Sequence, residues 1–294
     1  MYRNAGRGYA SADPIEPLME FAERTTLVAS TRTGSTWLSS LLDSHPEIRF
    51  HGELFNLERA PVAALHDPRA YLNDRLAGGG SHRVVGFKLL YHQARLSYLN
   101  EFLFEMEQGR KSEVDWRTIF PARPVTREHV PALAKTWELI RSGGGRIIHL
   151  RRRNLLRQRL SHEMMMAESR ARWSSEPAAG PMRIRLATDR LIQSFAEATA
   201  AAVEIDCFFA GNQKLTVFYE DLTADVAAQC GTILRFLGVR IASLVSAKKK
   251  SERRALCETI ENFGEVEHAL AGTPWEQFLD DCSAHERRNP LRCD

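Results

Sequence analysis

Cysteine is scarce in this chain and follows no pattern. Cys207, Cys230, Cys257, Cys282 and Cys293 are odd in number and include no C-x-x-C spacing. That argues against a disulfide framework and against a structural zinc site, and it leads us to expect a reducing, cytoplasmic setting. Long apolar runs are missing as well. None reaches the roughly 20 residues of a membrane span, so no integral membrane segment is expected. The first part of the chain carries Arg3, Arg7, Asp13, Glu16, Pro14 and Pro17 without a hydrophobic region, which speaks against a secretory signal. Charge of one sign is also lacking. Forty Lys and Arg face 37 Asp and Glu, a net charge of +3, so there is no global polyanion-binding signature and nucleic acid is not an expected partner. No histidine pattern matches a metal motif, and no metal is expected. The G-x-x-x-x-G-K-[ST] motif is absent. This weighs against a nucleotide kinase or P-loop NTPase, although Glu220-Asp221 after an apolar run could pass for metal-binding acids.

What is present begins with Thr25–Asn56, TTLVASTRTGSTWLSSLLDSHPEIRFHGELFN. Thr25–Ser30 reads as a buried strand and Thr31–Ser35 as a small-residue loop with one arginine. Thr36–Ser44 reads as a helix with Trp37, Leu38, Leu41 and Leu42 on one face, stopped at His45-Pro46. A strand, a small turn and a helix N-terminus together form a site for phosphate-like anions. Unpaired N–H groups leave the first turn, and the helix dipole favours negative charge there. Gly34 permits close backbone approach, and Thr33, Ser35 and Thr36 offer hydroxyl donors.

Further along, Arg83–Leu89 is an apolar run and Val130–Ser142 is helical up to a run of three glycines. Arg146–Leu150 reads as a strand followed by a helix over Asn154–Ser169. Thr188–Phe209 is an Ala-rich helix, Lys214–Tyr219 a strand, and Thr223–Leu237 a helix ended by Gly238. Strands alternating with helices imply an α/β chain with a central, mostly parallel sheet covered on both faces. Residues 1–24 read as an N-terminal arm and 25–294 as a single domain. Ligands in such folds lie at the carboxyl ends of the strands. Ser30, Lys88, Arg151 and Tyr219 all fall near those ends, so the loops after them should converge.

The segment Arg151–Ser161, RRRNLLRQRLS, follows a strand and opens a helix. Arg153 and Ser161 are eight residues apart, a little over two turns, which returns them to nearly the same face. A guanidinium and a hydroxyl so placed suit a second phosphate. Arginines at a helix N-terminus oppose its dipole, a placement more easily explained if an anion sits there. Lys248–Arg254 is a second basic run, readable as an exposed turn or as a further phosphate contact.

With these motifs in view, the chain resembles the sulfotransferases that use 3′-phosphoadenosine 5′-phosphosulfate. Ser30–Trp37 looks like their 5′-phosphosulfate loop, and Arg152-Arg153-Asn154 through Ser161 like their 3′-phosphate motif. Val217–Leu222, followed by Ile233–Val239, looks like their third segment. His51–Asn56, Gly86-Phe87-Lys88 and the stretch from Asn262 to Trp275 resemble the bacterial carbohydrate enzymes of the Nod-factor and trehalose type. The resemblance implies a P-loop-like three-layer fold, the phosphosulfate nucleotide as donor, adenosine 3′,5′-bisphosphate (PAP) as product and a hydroxyl on a small molecule or glycan as acceptor. It implies no metal, and it makes a homodimer plausible. It assigns Arg32, Thr33, Gly34, Ser35, Thr36 and Trp37 to the 5′ end of the donor. Arg153 and Ser161 go to the 3′ end, joined by Lys250, Ser251 and Arg253.

Sulfuryl transfer requires charge stabilisation at the leaving oxygen and an acceptor for the hydroxyl proton. Arg32 stands where many relatives carry Lys. It stays protonated, so its role is electrostatic. The resemblance points to Glu53 as the base, with the raised pKa such a role favours. His92 competes for the role, and Lys88 is placed to orient the acceptor or touch the sulfate. His45, His51, His149 and His162 read as structural. Met164–Met166 and Trp173 suit core packing better than a lid. The acceptor would be chosen by the loops at 56–82, 91–125 and 165–185. A scaffold of this family without activity is the remaining alternative.

Overall fold

The computed structural model describes residues 23–56, 64, 66–77, 82–93, 130–171, 181–248 and 254–279. Among the expected site residues, Lys250, Ser251 and Arg253 lie outside these, as does Trp173. The elements in chain order are β1 (Glu23–Ala29), α1 (Ser35–Asp43), β2 (Ile48–Glu53), α2 (Pro68–Ala77) and β3 (Val84–Leu90). Next come α3 (Val130–Ala134), α4 (Thr136–Ser142), β4 (Arg146–Arg151), α5 (Leu155–Ala171) and α6 (Leu191–Phe208). The remainder is β5 (Lys214–Phe218), α7 (Tyr219–Ala224), α8 (Val226–Leu237), α9 (Leu256–Thr259), α10 (Phe263–Leu270) and a 3₁₀ turn at Glu276–Leu279.

The strands form one five-stranded parallel sheet in the order β2-β3-β1-β4-β5. Alternate residues of each strand point to opposite faces, and both faces are covered. Val28, Val85, Phe87, Leu89 and Ile147 pack against residues of α2, α3, α4 and α6. Leu27, Ala29, Val84, Leu90, Ile148 and Val217 pack against α1 and α8. This is the three-layer α/β arrangement expected from the alternation of elements. A third cluster joins α5 and α6 to α9, α10 and the 3₁₀ turn, with Leu156, Phe195, Ile260 and Phe278 at its centre. Of the methionine run, Met164 packs partly buried on that cluster, while Met165 and Met166 are half-buried and not part of it.

Four of the differences from the sequence reading have an identifiable cause. The strand β2 was not expected, because HGELFN was read only as a motif. Its core face is carried by Ile48 and Phe50 alone, and β2 is an edge strand. The helix over 130–142 is broken at Lys135, whose N–H closes a three-residue turn on the Ala132 carbonyl at 3.2 Å. The helix expected over 223–237 is two helices, because Asp225 leaves helical geometry and accepts from the Ala228 N–H at 2.9 Å as an N-cap. β1 begins at Glu23, two residues inside the segment read as an arm.

Gly86 occupies the middle of β3, where a Cβ would come within 2.5 Å of both the Phe50 ring and Thr25 Cγ2. The missing side chain is what lets edge strand β2 dock its aromatic residue over the sheet. Gly86→Ala is expected to destabilise the fold by about 1–3 kcal/mol through overpacking, read as a lower denaturation midpoint in urea. An unchanged midpoint would mean that Phe50 does not hold the close approach described.

Candidate functional site

The loop after β1 is shaped by two left-handed residues. Arg32 has φ 62° and Gly34 has φ 85°. At Gly34 a Cβ would meet the Tyr219 ring at 2.6 Å, so only glycine lets that ring lie against the loop. For Arg32 the conformation is costly, of order 1–3 kcal/mol, and neighbouring groups hold it. Gln158 of α5 donates to Ser30 Oγ at 3.0 Å and to the Thr31 carbonyl at 2.8 Å. Arg152 donates to the Arg32 carbonyl at 3.0 Å, and Arg32 Nε donates to Ser161 Oγ at 3.0 Å. The two motifs singled out in the sequence are therefore in contact.

The first bonds into α1 are made by Trp37 and Leu38 to the Gly34 carbonyl. The N–H groups of Ser35 and Thr36 therefore face out of the first turn. The hydroxyls are not equivalent donors, as the sequence suggested. Thr33 Oγ1 already donates to the Ser30 carbonyl at 2.8 Å and is buried, so its hydroxyl proton is committed inside the loop. Thr36 Oγ1 accepts from Lys88 at 2.8 Å and keeps its own proton. Trp37 packs against the α1 face of the core.

At the start of α5 the expected anion is supplied by the chain itself. Glu220 accepts from the Arg153 N–H at 3.0 Å and from the Asn154 N–H at 3.1 Å. The Arg153 guanidinium makes a bidentate pair with Asp221 at 2.5 and 2.7 Å and lies 4.0 Å over the Phe218 ring. The basic helix start is thus explained without a ligand, which corrects the inference drawn from the dipole. Arg153 remains half exposed, and it lines a cavity of about 320 Å³ together with Ser30, Thr33, Arg151, Arg152, Gln158, Phe218 and Phe278.

On the α1 side of the sheet, the Lys88 ammonium is buried between the loop and Glu53. It lies 2.7 Å from Glu53 Oε1 and 2.8 Å from Thr36 Oγ1. Gln93 and Asn56 donate to Glu53 Oε2 at 2.6 and 3.2 Å. Burial pushes the Glu53 carboxyl up, but the Lys88 charge and these hydrogen bonds outweigh it and hold the pKa below the ordinary value. The raised pKa expected for Glu53 is therefore overturned, and the group is an ionised carboxylate at neutral pH. Burial lowers the His92 pKa, with Glu53 opposing and His162 adding to the shift. His162 is lowered by burial too, and feels Arg32. His162 thus belongs to the electrostatic surroundings of the site. His45 and His51 bond backbone carbonyls, at Arg240 and Arg75. Among the described residues no group of His, Cys, Asp and Glu could hold a metal ion, and no helix is long and apolar enough to cross a membrane.

The sequence reading missed Gln158, Gln93 and Asn56 as site-forming residues, although Gln158 and Asn56 stood inside motifs it quoted. It also missed the role of Glu220 as a helix cap.

The site thus consists of a loop after β1 clamped to the basic start of α5 on a parallel α/β sheet. A family model described as "Sulfotransferase family" matches residues 26–243, and the chain belongs to that family. Sulfuryl transfer is accordingly its class of reaction. Nodulation protein H of Rhizobium tropici is 25% identical over 271 residues, which cover 89% of this chain and 96% of that protein. Among solved structures, a sulfotransferase from Alicyclobacillus acidocaldarius aligns with TM-score 0.41 at 14% identity, covering 92% of this chain and 97% of its own. Mouse sulfotransferase SULT7A1 complexed with PAP aligns with TM-score 0.39 at 13% identity, covering 91% and 85%.

The Lys88–Glu53 pair makes a pH prediction. With its folded pKa depressed, Glu53 contributes stability that is present above the ordinary carboxylate range and lost as pH falls through the folded pKa. Removing the ammonium in Lys88→Met takes away the largest pKa-lowering influences on Glu53 and so raises that pKa, which weakens this pH dependence. The variant should gain melting temperature relative to wild type on acidification through the carboxylate range. A parallel pH dependence of the two melting temperatures would refute the coupling.

Proposed function

We propose that the protein transfers a sulfuryl group from 3′-phosphoadenosine 5′-phosphosulfate to a hydroxyl on a carbohydrate or glycolipid, by in-line displacement. The observation that carries this reading is the shared cavity. Ser30 and Thr33 of the loop and Arg153 and Gln158 at the start of α5 line the same space, and Arg32 reaches Ser161 directly. One nucleotide with anionic groups at both its 5′ and 3′ positions suits such a pair of sites. The likeness to Nodulation protein H over most of both chains, with the HGELFN and GFK motifs, supports a carbohydrate acceptor. Among the described residues, Cys207 and Cys230 form no disulfide, which is compatible with a cytoplasmic location.

In this reading the N–H groups of Ser35 and Thr36 and the Thr36 hydroxyl hold the 5′ group, and Arg32 stabilises charge at the bridging oxygen. Arg153 and the Ser161 hydroxyl, which accepts from Arg32 and retains its own proton, hold the 3′-phosphate. Lys250, Ser251 and Arg253 are assigned to the same phosphate from the resemblance alone. Lys88 spends two N–H groups on Thr36 and Glu53 and has a third for the sulfuryl oxygens. Glu53 takes the acceptor proton. Its ionised state suits that role, and His92, neutral by burial, is the second candidate.

The donor assignment is tested by thermal shift. Adenosine 3′,5′-bisphosphate should raise the melting temperature, and ATP with magnesium should not. The reverse result would restore the nucleotide-kinase reading. Arg153→Ala should raise the donor KM by about tenfold or more, as expected for loss of a charge-assisted hydrogen bond. Unchanged donor affinity would remove Arg153 from the 3′ site. Glu53→Gln should lower turnover by about 10²–10⁴-fold with donor affinity intact. If Glu53→Gln keeps its turnover and His92→Ala loses it, the base is His92. If no acceptor is sulfated by a donor-binding wild type, the scaffold is inactive.

A further inference from the structure

His149, read from the sequence as structural, lies on β4 with no exposed surface. It is bonded at both ring nitrogens. Nδ1 lies 2.9 Å from Asp206 Oδ1 on α6, and Nε2 lies 2.5 Å from the Tyr91 hydroxyl just past β3. Asp206 also receives Arg151 Nη1 at 3.2 Å and Lys214 Nζ at 2.8 Å. These contacts fix the protons. Burial raises the Asp206 pKa, but the hydrogen bonds from Lys214 and His149 outweigh it and keep the group a carboxylate. A carboxylate only accepts, so the proton sits on Nδ1. Burial holds the imidazole neutral, with Arg151 and Lys214 disfavouring a second proton and Asp206 opposing them. Nε2 is then a lone pair, and the Tyr91 O–H must donate to it. The proton of Tyr91 is committed inward, and the oxygen meets anything in front of it as an acceptor.

Tyr91 lines the same cavity as Arg151, Arg152 and Arg153, and Phe218, Trp275 and Phe278 contribute aromatic surface to it. Guanidinium groups only donate, so beside these arginines Tyr91 stands as an acceptor. We propose that Tyr91, locked as an acceptor by His149 and Asp206, is a specificity residue that reads an N–H or O–H group on the nucleotide bound in this cavity. The inference rests on the donor assignment above. The phosphates of that ligand face the arginines. Its remaining donor groups are the 6-amino of the base and the 2′-hydroxyl of the ribose, and one of these meets Tyr91.

The test is calorimetric titration of the full chain with adenosine 3′,5′-bisphosphate, its 2′-deoxy analogue and inosine 3′,5′-bisphosphate. Wild type should bind the parent about tenfold more tightly than one of the two analogues, and the weaker one identifies the group read. Tyr91→Phe removes a single oxygen, and it should bring that discrimination to about twofold or less. His149→Leu leaves Tyr91 in place but frees its proton, and it should also lose the discrimination, which a purely structural trio would not predict. Equal binding of all three ligands by wild type, or full discrimination in a folded Tyr91→Phe, overturns the inference while leaving the donor assignment standing. If wild type binds none of the three, the donor assignment fails and the inference falls with it. Should Tyr91→Phe not fold, the wild-type comparison and His149→Leu decide.

Discussion

The site depends on the contact between the Gln158 amide and the loop after β1. β1 and β4 are neighbours in the sheet, paired from Thr25↔Arg146 to Ala29↔Leu150, so the loop after one and the helix after the other leave the same edge side by side. Adjacency alone would not shape the loop. Its backbone turns left-handed at Arg32, a conformation that disfavours any side chain. Gln158 bonds the loop on the near side of that residue and Arg152 bonds its carbonyl, while Tyr219 fills the space that Gly34 leaves open. The strain is local and the restraint comes from elsewhere in the fold, so a mobile version of this loop would not present the same N–H groups.

Several of the cations around this loop are paired with carboxylates before any ligand arrives. Lys88 faces Glu53, Arg151 and Lys214 share Asp206, and Arg153 faces Asp221. Burial decides how freely each pair can be exchanged. Arg153 and Asp221 are both more than a third exposed, and ion pairs so placed contribute little net stability. A phosphate can therefore replace the carboxylate at modest cost. Lys88 is buried, and a buried ammonium deprived of its partner is strongly unfavourable. The same kind of contact is thus exchangeable at one end of the site and fixed at the other.

Much of this architecture could be read from local pattern. β1, β3, β4 and β5 are short apolar runs bounded by turns, and their alternation with helices gives the parallel sheet. The loop was also legible, because it lies within one stretch of chain, whereas Arg153 precedes α5 and pairs with Asp221 while Ser161, on the helix, accepts from Arg32. The misses arose where a residue's role is set by a distant partner. β2 carries only two core residues and becomes a strand by pairing with β3. Asp206 sits in an Ala-rich helix, and its partner His149 is 57 positions away. Glu220 serves the N-terminus of a helix 66 positions before it. Periodicity does not carry such information.

Glu53 shows the same limit in its chemistry. A carboxylate read as a base is expected to be a strong proton acceptor, and burial by itself would make it one. Burial does act on Glu53 in that direction. It is overridden because β3 places Lys88 in register with Glu53 of β2, and because the same ammonium is bonded to Thr36 at the start of α1. The proton affinity of Glu53 is therefore governed by one cation shared between the sheet and the start of α1. A change that loosens Lys88 from either side alters the acid strength of Glu53 without touching it. How the loop is packed on the sheet, more than the immediate setting of Glu53, sets its strength as a base.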